Sequence, residues 1–195
     1  MRFRKLLAVL VLMGAALAGA AETIVLPKPK KTGGMPLYTA LAKRETSRDM
    51  GGSRAPTLQE LSDLLWCANG VTRPNGRRTA PSAWDKREID LIAVTAEGVF
   101  AYDAPKHTLE KLDAELPGNL LQGASVYLIY HYNPARQTRD YALVDAGFVG
   151  QNVYLHCTAA GYRNVFLGGL DRAGLKRALG EHIGTVLYGH RIGIR

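Results

Sequence analysis

The sequence predicts an α+β fold in which a mixed sheet is wrapped by helices, and three observations carry that prediction. The first is a stretch of about twenty residues without proline, which begins at Asp140, a possible N-cap, and stops at Gly161, a residue suited to a left-handed C-cap. Apolar or small residues surround it on nearly every side, from Ala142 and Val144 through Val149 and Val153 to Cys157 and Ala160, so a long helix is expected at the centre of the molecule. The second is a pair of apolar runs, residues 89–94 and 98–102, joined by Thr95-Ala96-Glu97 in the manner of a hairpin. The third is SVYLIYHY, residues 125–132, a strand apolar enough to be central.

Taken in order, the chain opens on Arg2, Arg4 and Lys5, an uncharged run over residues 6–18, and Ala18-Gly19-Ala20, which has the small-x-small form of a cleavage site. This reads as a signal peptide over residues 1–20, with cleavage near Ala20 and delivery to the periplasm or the exterior. A single membrane anchor is the alternative, but the run is short for a bilayer span. No cysteine follows it to take a lipid. Residues 21–35, with Lys28, Lys30 and Lys31 ahead of Gly33-Gly34, read as a flexible basic lead, and residues 36–195 as one domain. The whole chain carries 25 basic and 17 acidic residues, a net charge of +8; without the leader it carries 22 against 17, a net of +5. Basicity this mild, with no basic-aromatic module, argues against nucleic-acid binding. Cys67 and Cys157 both lie in apolar helical patterns and read as buried free thiols, although export permits a disulfide.

Residues 36–43 form a short predicted helix that runs into Arg44-Glu45-Thr46-Ser47-Arg48. Two arginines four apart with hydroxyls between them suit an anion, and equally suit a solvated helix end. Thr57 and Glu60 make a capping box for a helix whose buried stripe is Leu58, Leu61, Leu64, Leu65 and Ala68, ending at Asn69-Gly70. Residues 72–85 are a loop rich in turn formers and arginine, where Arg73, Arg77 and Arg78 could serve an anion or keep the surface soluble. Residues 106–116 read as loop and short helix. His131, in a strand beside aromatics, reads as packed rather than catalytic. After the long helix come a short strand over residues 164–167, the Gly168-Gly169 doublet, a helix over residues 172–179 and a last short strand over residues 185–188. Gly147 and Gly150, each costing about 1 kcal/mol against alanine within a helix, point to tight helix packing or to a flat ligand close by. The chain shows no phosphate-binding P-loop, no dinucleotide fingerprint, no Ser/His/Asp set and no metal-ligand spacing among its five histidines.

Four pieces in order, Arg44 to Arg48, LSDLLWCANGVTR, the run from Gly76 through Pro81-Ser82-Ala83 to Glu88-Ile89-Asp90, and DAGFVGQNVYLHCTAAGYRNVFLGG, make the chain resemble the FMN-dependent nitroreductase family, in particular its short exported members related to thiazole/oxazole dehydrogenases. The likeness spans residue 37 to about residue 189. It implies an FMN-binding homodimer with flavins at the subunit interface and the long helix as a main dimer contact. It assigns Arg44, Arg48 and the hydroxyl of Thr46 or Ser47 to the FMN phosphate and the polar edge of the ring, Pro81, Ser82 and Ala83 to the loop beside the isoalloxazine, and Gly168 and Gly169 to the backbone near it. Asp85 stands where relatives generally place an asparagine, and a carboxylate can only accept. The basic clamp that relatives carry near the C-terminus has only Arg191 and Arg195 as substitutes. The implied activity is ping-pong hydride transfer through flavin N5, from a small-molecule electron donor to an acceptor, with no protein acid or base demanded. A flavin-binding module without turnover, a cofactor-free structural relative, and a membrane-surface or polyanion binder are the competing readings.

Overall fold

The computed structural model describes residues 22–195, so the expected signal peptide over residues 1–20 lies outside the described residues. The strands are β1 (Thr23–Val25), β2 (Ile89–Thr95), β3 (Gly98–Asp103), β4 (Thr108–Leu112), β5 (Val126–Tyr132), β6 (Arg163–Leu167) and β7 (Thr185–Gly193). The helices are α1 (Leu37–Lys43), α2 (Leu58–Asn69), α3 (Arg139–Ala160) and α4 (Arg172–Leu179). The strands form one sheet in the order β1-β4-β3-β2-β5-β7-β6. The α+β class is as predicted, but the sheet is antiparallel at every join rather than mixed.

Strand alternation explains the layering. On β2 and β5, Leu91, Ala93, Leu128 and Tyr130 face α2 and α3, where they meet Leu61, Leu64, Leu65, Ala142, Ala146, Val149 and Val153. The intervening Ile92, Val94, Tyr127 and Ile129 face the other way, against Leu175 and Leu179 of α4. Every residue of β5 is therefore buried, each large apolar one contributing roughly 1.5–3 kcal/mol.

α2 starts as the capping box predicts: the Thr57 hydroxyl accepts from the Glu60 N–H at 3.2 Å, and the Glu60 carboxylate accepts from the Thr57 N–H at 2.8 Å. Arg54 grips the same carboxylate, and that contact first, then the Thr57 bonds, pull the Glu60 acid down to about 2. The Tyr162 hydroxyl donates to it at 3.2 Å, tying the start of α2 to the end of α3.

Several expectations are corrected. Residues 106–116 hold β4, not a helix; Thr108, Leu109 and Leu112 are buried while Glu110 and Lys111 are exposed, a spacing of i, i+1 and i+4 that matches a helix rather than a strand. The lead expected to be flexible over residues 21–35 is docked within its described part, from residue 22 on: β1 pairs with β4, Leu26 is buried, and the Lys30 N–H bonds Asp63 at 2.8 Å. The last strand runs on past Gly189, which masks it, to end at Gly193; at Gly189 a Cβ would collide with the Tyr127 hydroxyl. Thr138 rather than Asp140 holds the N-cap position of α3, without a side-chain capping bond, and Gly161 closes the helix with φ 75° as expected. α3 is not apolar-packed on all sides either. Tyr141, Val144 and Phe148 are exposed at i, i+3 and i+7, and so are Leu37, Tyr38 and Leu41 of α1. Of the two helix glycines, Gly150 faces the Phe166 ring, which a Cβ would meet at 2.9 Å, whereas Gly147 faces open space.

Both cysteines are free thiols, as read from their apolar surroundings, and burial pushes Cys67 up to about 11. His131 is packed: its Nδ1 accepts the Gly184 N–H at 3.2 Å, and burial pushes it down to about 4. No helix among the described residues is long and apolar enough to cross a membrane, and none of their His, Cys, Asp and Glu side chains form a group of three that could hold a metal.

Candidate functional site

The residues singled out in the sequence fall into two clusters, at opposite halves of α3. At the C-terminal half, α1 ends at Arg44 and the chain turns across the helix. The Arg44 guanidinium lies 5.2 Å from the centre of the Tyr154 ring. The Tyr154 hydroxyl shares a hydrogen bond with the Thr46 hydroxyl at 2.9 Å and accepts the Phe166 N–H at 3.1 Å. Thr46 is thereby turned toward α3, while Ser47 lines the open side.

A buried polar chain fixes this turn from below. The Ser47 N–H donates to the Asn164 carbonyl at 2.9 Å. The Asn164 side-chain oxygen can only accept, so His190 Nε2, 2.9 Å away, is the donor; His190 Nδ1 then accepts from the Tyr130 hydroxyl at 3.1 Å. Asn164, His190 and Tyr130 are all buried, and burial pushes His190 down to about 3, so the imidazole is neutral. Above the turn is a cavity of about 760 Å³ lined by Lys43, Arg44, Ser47, Arg163 and Arg195 among others. Arg163 is neutralised by Asp49. Among the described residues, Lys43, Arg44 and Arg195 of this lining make no ion pair, a cationic donor set suited to a phosphate. Arg48 is exposed on the same turn.

At the N-terminal half of α3, the arginine-rich loop encloses a second cavity of about 440 Å³, lined by Arg73, Arg77, Arg78, Pro81, Ser82 and Asp85 among others. Ser82 Oγ accepts the Arg87 N–H at 2.9 Å, and the Ala83 N–H donates to the buried Asp145 carboxylate of α3 at 2.9 Å. Trp84, Asp85 and Arg87 all have positive φ, of 51°, 56° and 51°, a strained run for residues other than glycine. Trp84 stays exposed with its ring edge-on to Tyr141, centroids 4.6 Å apart. The Asp85 carboxylate is taken up by Arg87, with one bond of 2.8 Å from Nε and a second from Nη2, and that contact lowers the acid below its ordinary range.

The remaining predicted residues are scattered. Gly168 and Gly169 follow β6, exposed with open space over both, and the Gly168 carbonyl accepts from Arg172 at 2.8 Å. Arg191 is turned away from Arg44: it donates to the Leu120 carbonyl at 2.8 Å and lies over the Tyr127 ring on the α4 side of the sheet. Of the two C-terminal substitutes, Arg195 is therefore the one beside the phosphate-type cavity. One chain does not bring the clusters together, since Asp145 and Tyr154 are nine residues apart on one helix, about 14 Å at 1.5 Å per residue.

Sequence reading missed Tyr154, Asn164, His190 and Asp145. Asp145 did leave a signal, an acid falling on the buried Ala142-Ala146-Val149 stripe; Asn164 and His190 join through strand register, which leaves none, and Tyr154 reaches Thr46 and the Phe166 N–H from α3.

The comparisons agree with this architecture. The sequence profile of the Nitroreductase family matches residues 41–194. A protein of Methanocaldococcus jannaschii described as a nitroreductase is 31% identical over 155 positions, covering 68% of this chain and 78% of the relative. A crystal structure described as a nitroreductase from Ralstonia eutropha JMP134 superposes with a TM-score of 0.80 at 30% identity, covering 88% of this chain and 89% of that one. At the level of fold alone, a nitroreductase-described structure from Exiguobacterium sibiricum 255-15, in complex with FMN, gives a TM-score of 0.57 at 12% identity, covering 84% and 90%. With its sheet order, its long α3 and a profile match over most of its length, this chain belongs to the nitroreductase family of oxidoreductases.

Proposed function

We propose that the protein is an exported FMN-dependent oxidoreductase that works as a homodimer and passes hydride, in ping-pong order, from a small-molecule electron donor to a small organic acceptor. The observation that carries the reading is the arrangement along α3: two ligand-type clusters at its two halves, with an exposed apolar stripe of Tyr141, Val144 and Phe148 on the same helix. An apolar helix face left open to water is a surface for a second subunit. Two copies paired through it would set the arginine turn of one chain toward the proline-serine loop of the other, and would give Gly147 a neighbour.

The residues present fit the flavin in part. Arg44, Ser47 and Arg195 would hold its phosphate, with the turn kept in place by the Asn164 carbonyl beneath. Pro81 and Ser82 would border its ring, and open space lies where side chains would stand on Gly168 and Gly169. When bound, the flavin supplies the hydride chemistry at N5. The poor fit is Asp85, whose carboxylate is committed to Arg87 and cannot donate to the ring edge. That pairing favours, as a second reading, a flavin-binding module without turnover. Export rests on the leader sequence.

An absorbance spectrum of the purified chain before and after FMN addition tests the reading. A flavin band near one per subunit is expected, and anaerobic addition of reductants should bleach it. Bound flavin that no reductant bleaches would favour the second reading, and colourless protein after FMN addition would sink both.

A further inference from the structure

Among the described residues, four buried side-chain atoms lack a hydrogen-bond partner, and three of them flank one loop: Arg78 Nε and both carboxyl oxygens of Glu88. Glu88 is 0% exposed and stands just ahead of β2. Burying an ionised carboxylate with neither oxygen paired is prohibitive, so the group is driven to its neutral form. The side chain it faces is another acid, Asp145, 2% exposed on α3, one of whose oxygens accepts the Ala83 N–H at 2.9 Å. Two adjoining carboxyls out of water cannot both hold a charge. A single proton between them removes one charge and gives the second Asp145 oxygen a donor.

The surrounding cations are committed to other partners, and of them Arg136 opposes the rise of Glu88 as the smallest contribution. Arg136, from the turn before α3, donates to the Arg87 carbonyl at 3.1 Å and pairs with Asp90 of β2 at 3.4 Å. Arg78, from the loop, donates to the Asn69 carbonyl at the end of α2, 2.9 Å away. Arg87 is held by Asp85. Gln137, also ahead of α3, is neutral and donates to the Ala83 carbonyl at 3.4 Å, so Ala83 is gripped at both its N–H and its C=O.

We propose that Glu88 is a positioning residue: it holds one proton in common with Asp145, and that shared proton keeps Asp145 aimed at the Ala83 amide and so fixes the loop from Pro81 to Asp85. Loss of the proton sets two buried charges face to face, drives Asp145 off Ala83 and frees Trp84 from Tyr141. That this loop borders a flavin rests on the function proposed above; the proton and the loop do not.

Trp84 is the reporter, and a Trp66→Phe background removes the chain's other tryptophan. In flavin-free protein, Trp84 emission should step once on alkalinisation with a midpoint near pH 7, because burial first and then Asp145 raise the Glu88 acid to about 7. Glu88→Gln, whose amide donates to Asp145 at any pH, should keep the low-pH emission and lose the step. A flat profile in the parent, or the same step in Glu88→Gln, overturns the proposal. Should Glu88→Gln fail to fold, infrared difference spectra of the unsubstituted chain read the proton directly. One buried carboxylic C=O band should vanish over that same pH interval, and finding no such band overturns the proposal. A chain that steps but binds no FMN defeats the flavin reading alone; one that binds FMN without stepping defeats this one alone.

Discussion

The two halves of α3 hold their ligand-facing segments by opposite means. The arginine turn at the C-terminal half is held by an Arg163–Asp49 ion pair at its edge and, from beneath, by neutral groups, with Tyr130, His190 and Asn164 handing hydrogen bonds along in one direction to a backbone that holds Ser47. The loop at the N-terminal half rests on ionisable ones: a buried acid pair beneath Ala83, an exposed Asp85–Arg87 ion pair and three residues of positive φ. The contrast shows how one scaffold can keep a charge-binding end constant while leaving the other end responsive to protons. Neutral chains tie geometry to packing, whereas buried acids tie it to pH.

The widest test of the contrast is ligand retention. Changing Arg44 and Arg48 together to Ala should weaken FMN binding by about two orders of magnitude, roughly 3 kcal/mol for two charge-assisted bonds, as read by equilibrium titration. Unchanged affinity would remove the turn from the site. Next comes His190→Leu, which strands the buried Tyr130 hydroxyl and Asn164 amide; a loss of roughly 3 kcal/mol in urea denaturation is expected, along with weaker FMN binding. A loss below about 1 kcal/mol would mean the relay does not support the turn.

Stability against pH should then separate the halves by sign. His190 is depressed to about 3, so the stability it confers is present above its ordinary value of 6.5 and drains away as pH falls toward 3. Glu88 is raised to about 7 from 4.5, so its share is full below 4.5 and is lost as pH climbs through 7. The loss on that alkaline side is on the order of 2–3 kcal/mol, and Glu88→Gln should remove it while sparing the acid side. Chemical denaturation at a series of pH values would show an unchanged alkaline limb if Glu88 were not its source. The smallest effects concern the helix between the halves. Gly150→Ala drives a methyl toward Phe166 and should cost roughly 1–3 kcal/mol. Gly147→Ala faces open space and should stabilise an isolated chain by up to about 1 kcal/mol. If Gly147 lies at a subunit contact, sedimentation should show dimer affinity falling in that variant, and an unaffected dimer would move the contact elsewhere.

Much of the scaffold was legible because its signals are local. The Thr57–Glu60 box, the Gly161 cap and the apolar run of β5 each declare themselves within a few residues. Arg44, Ser47 and Arg195, named from sequence, do line one cavity. What could not be read depends on pairing across distance. β4 alternates too poorly to announce a strand, and its register against β3 and β1 makes it one. The placement of Arg191 on the α4 side follows from how β7 registers against β5, which its own sequence does not state. The His190–Asn164 contact joins residues 26 apart through the β6–β7 ladder.

β1 is three residues long, yet it covers the outer backbone of β4 from Thr108 to Glu110, some 85 positions along the chain. Closing so distant a pairing comes late in folding. Until it closes, β4 is a bare sheet margin that can template another molecule, and a chain cut back past Val25 would carry that margin permanently. The three residues of β1 therefore guard the protein against self-association into aggregates.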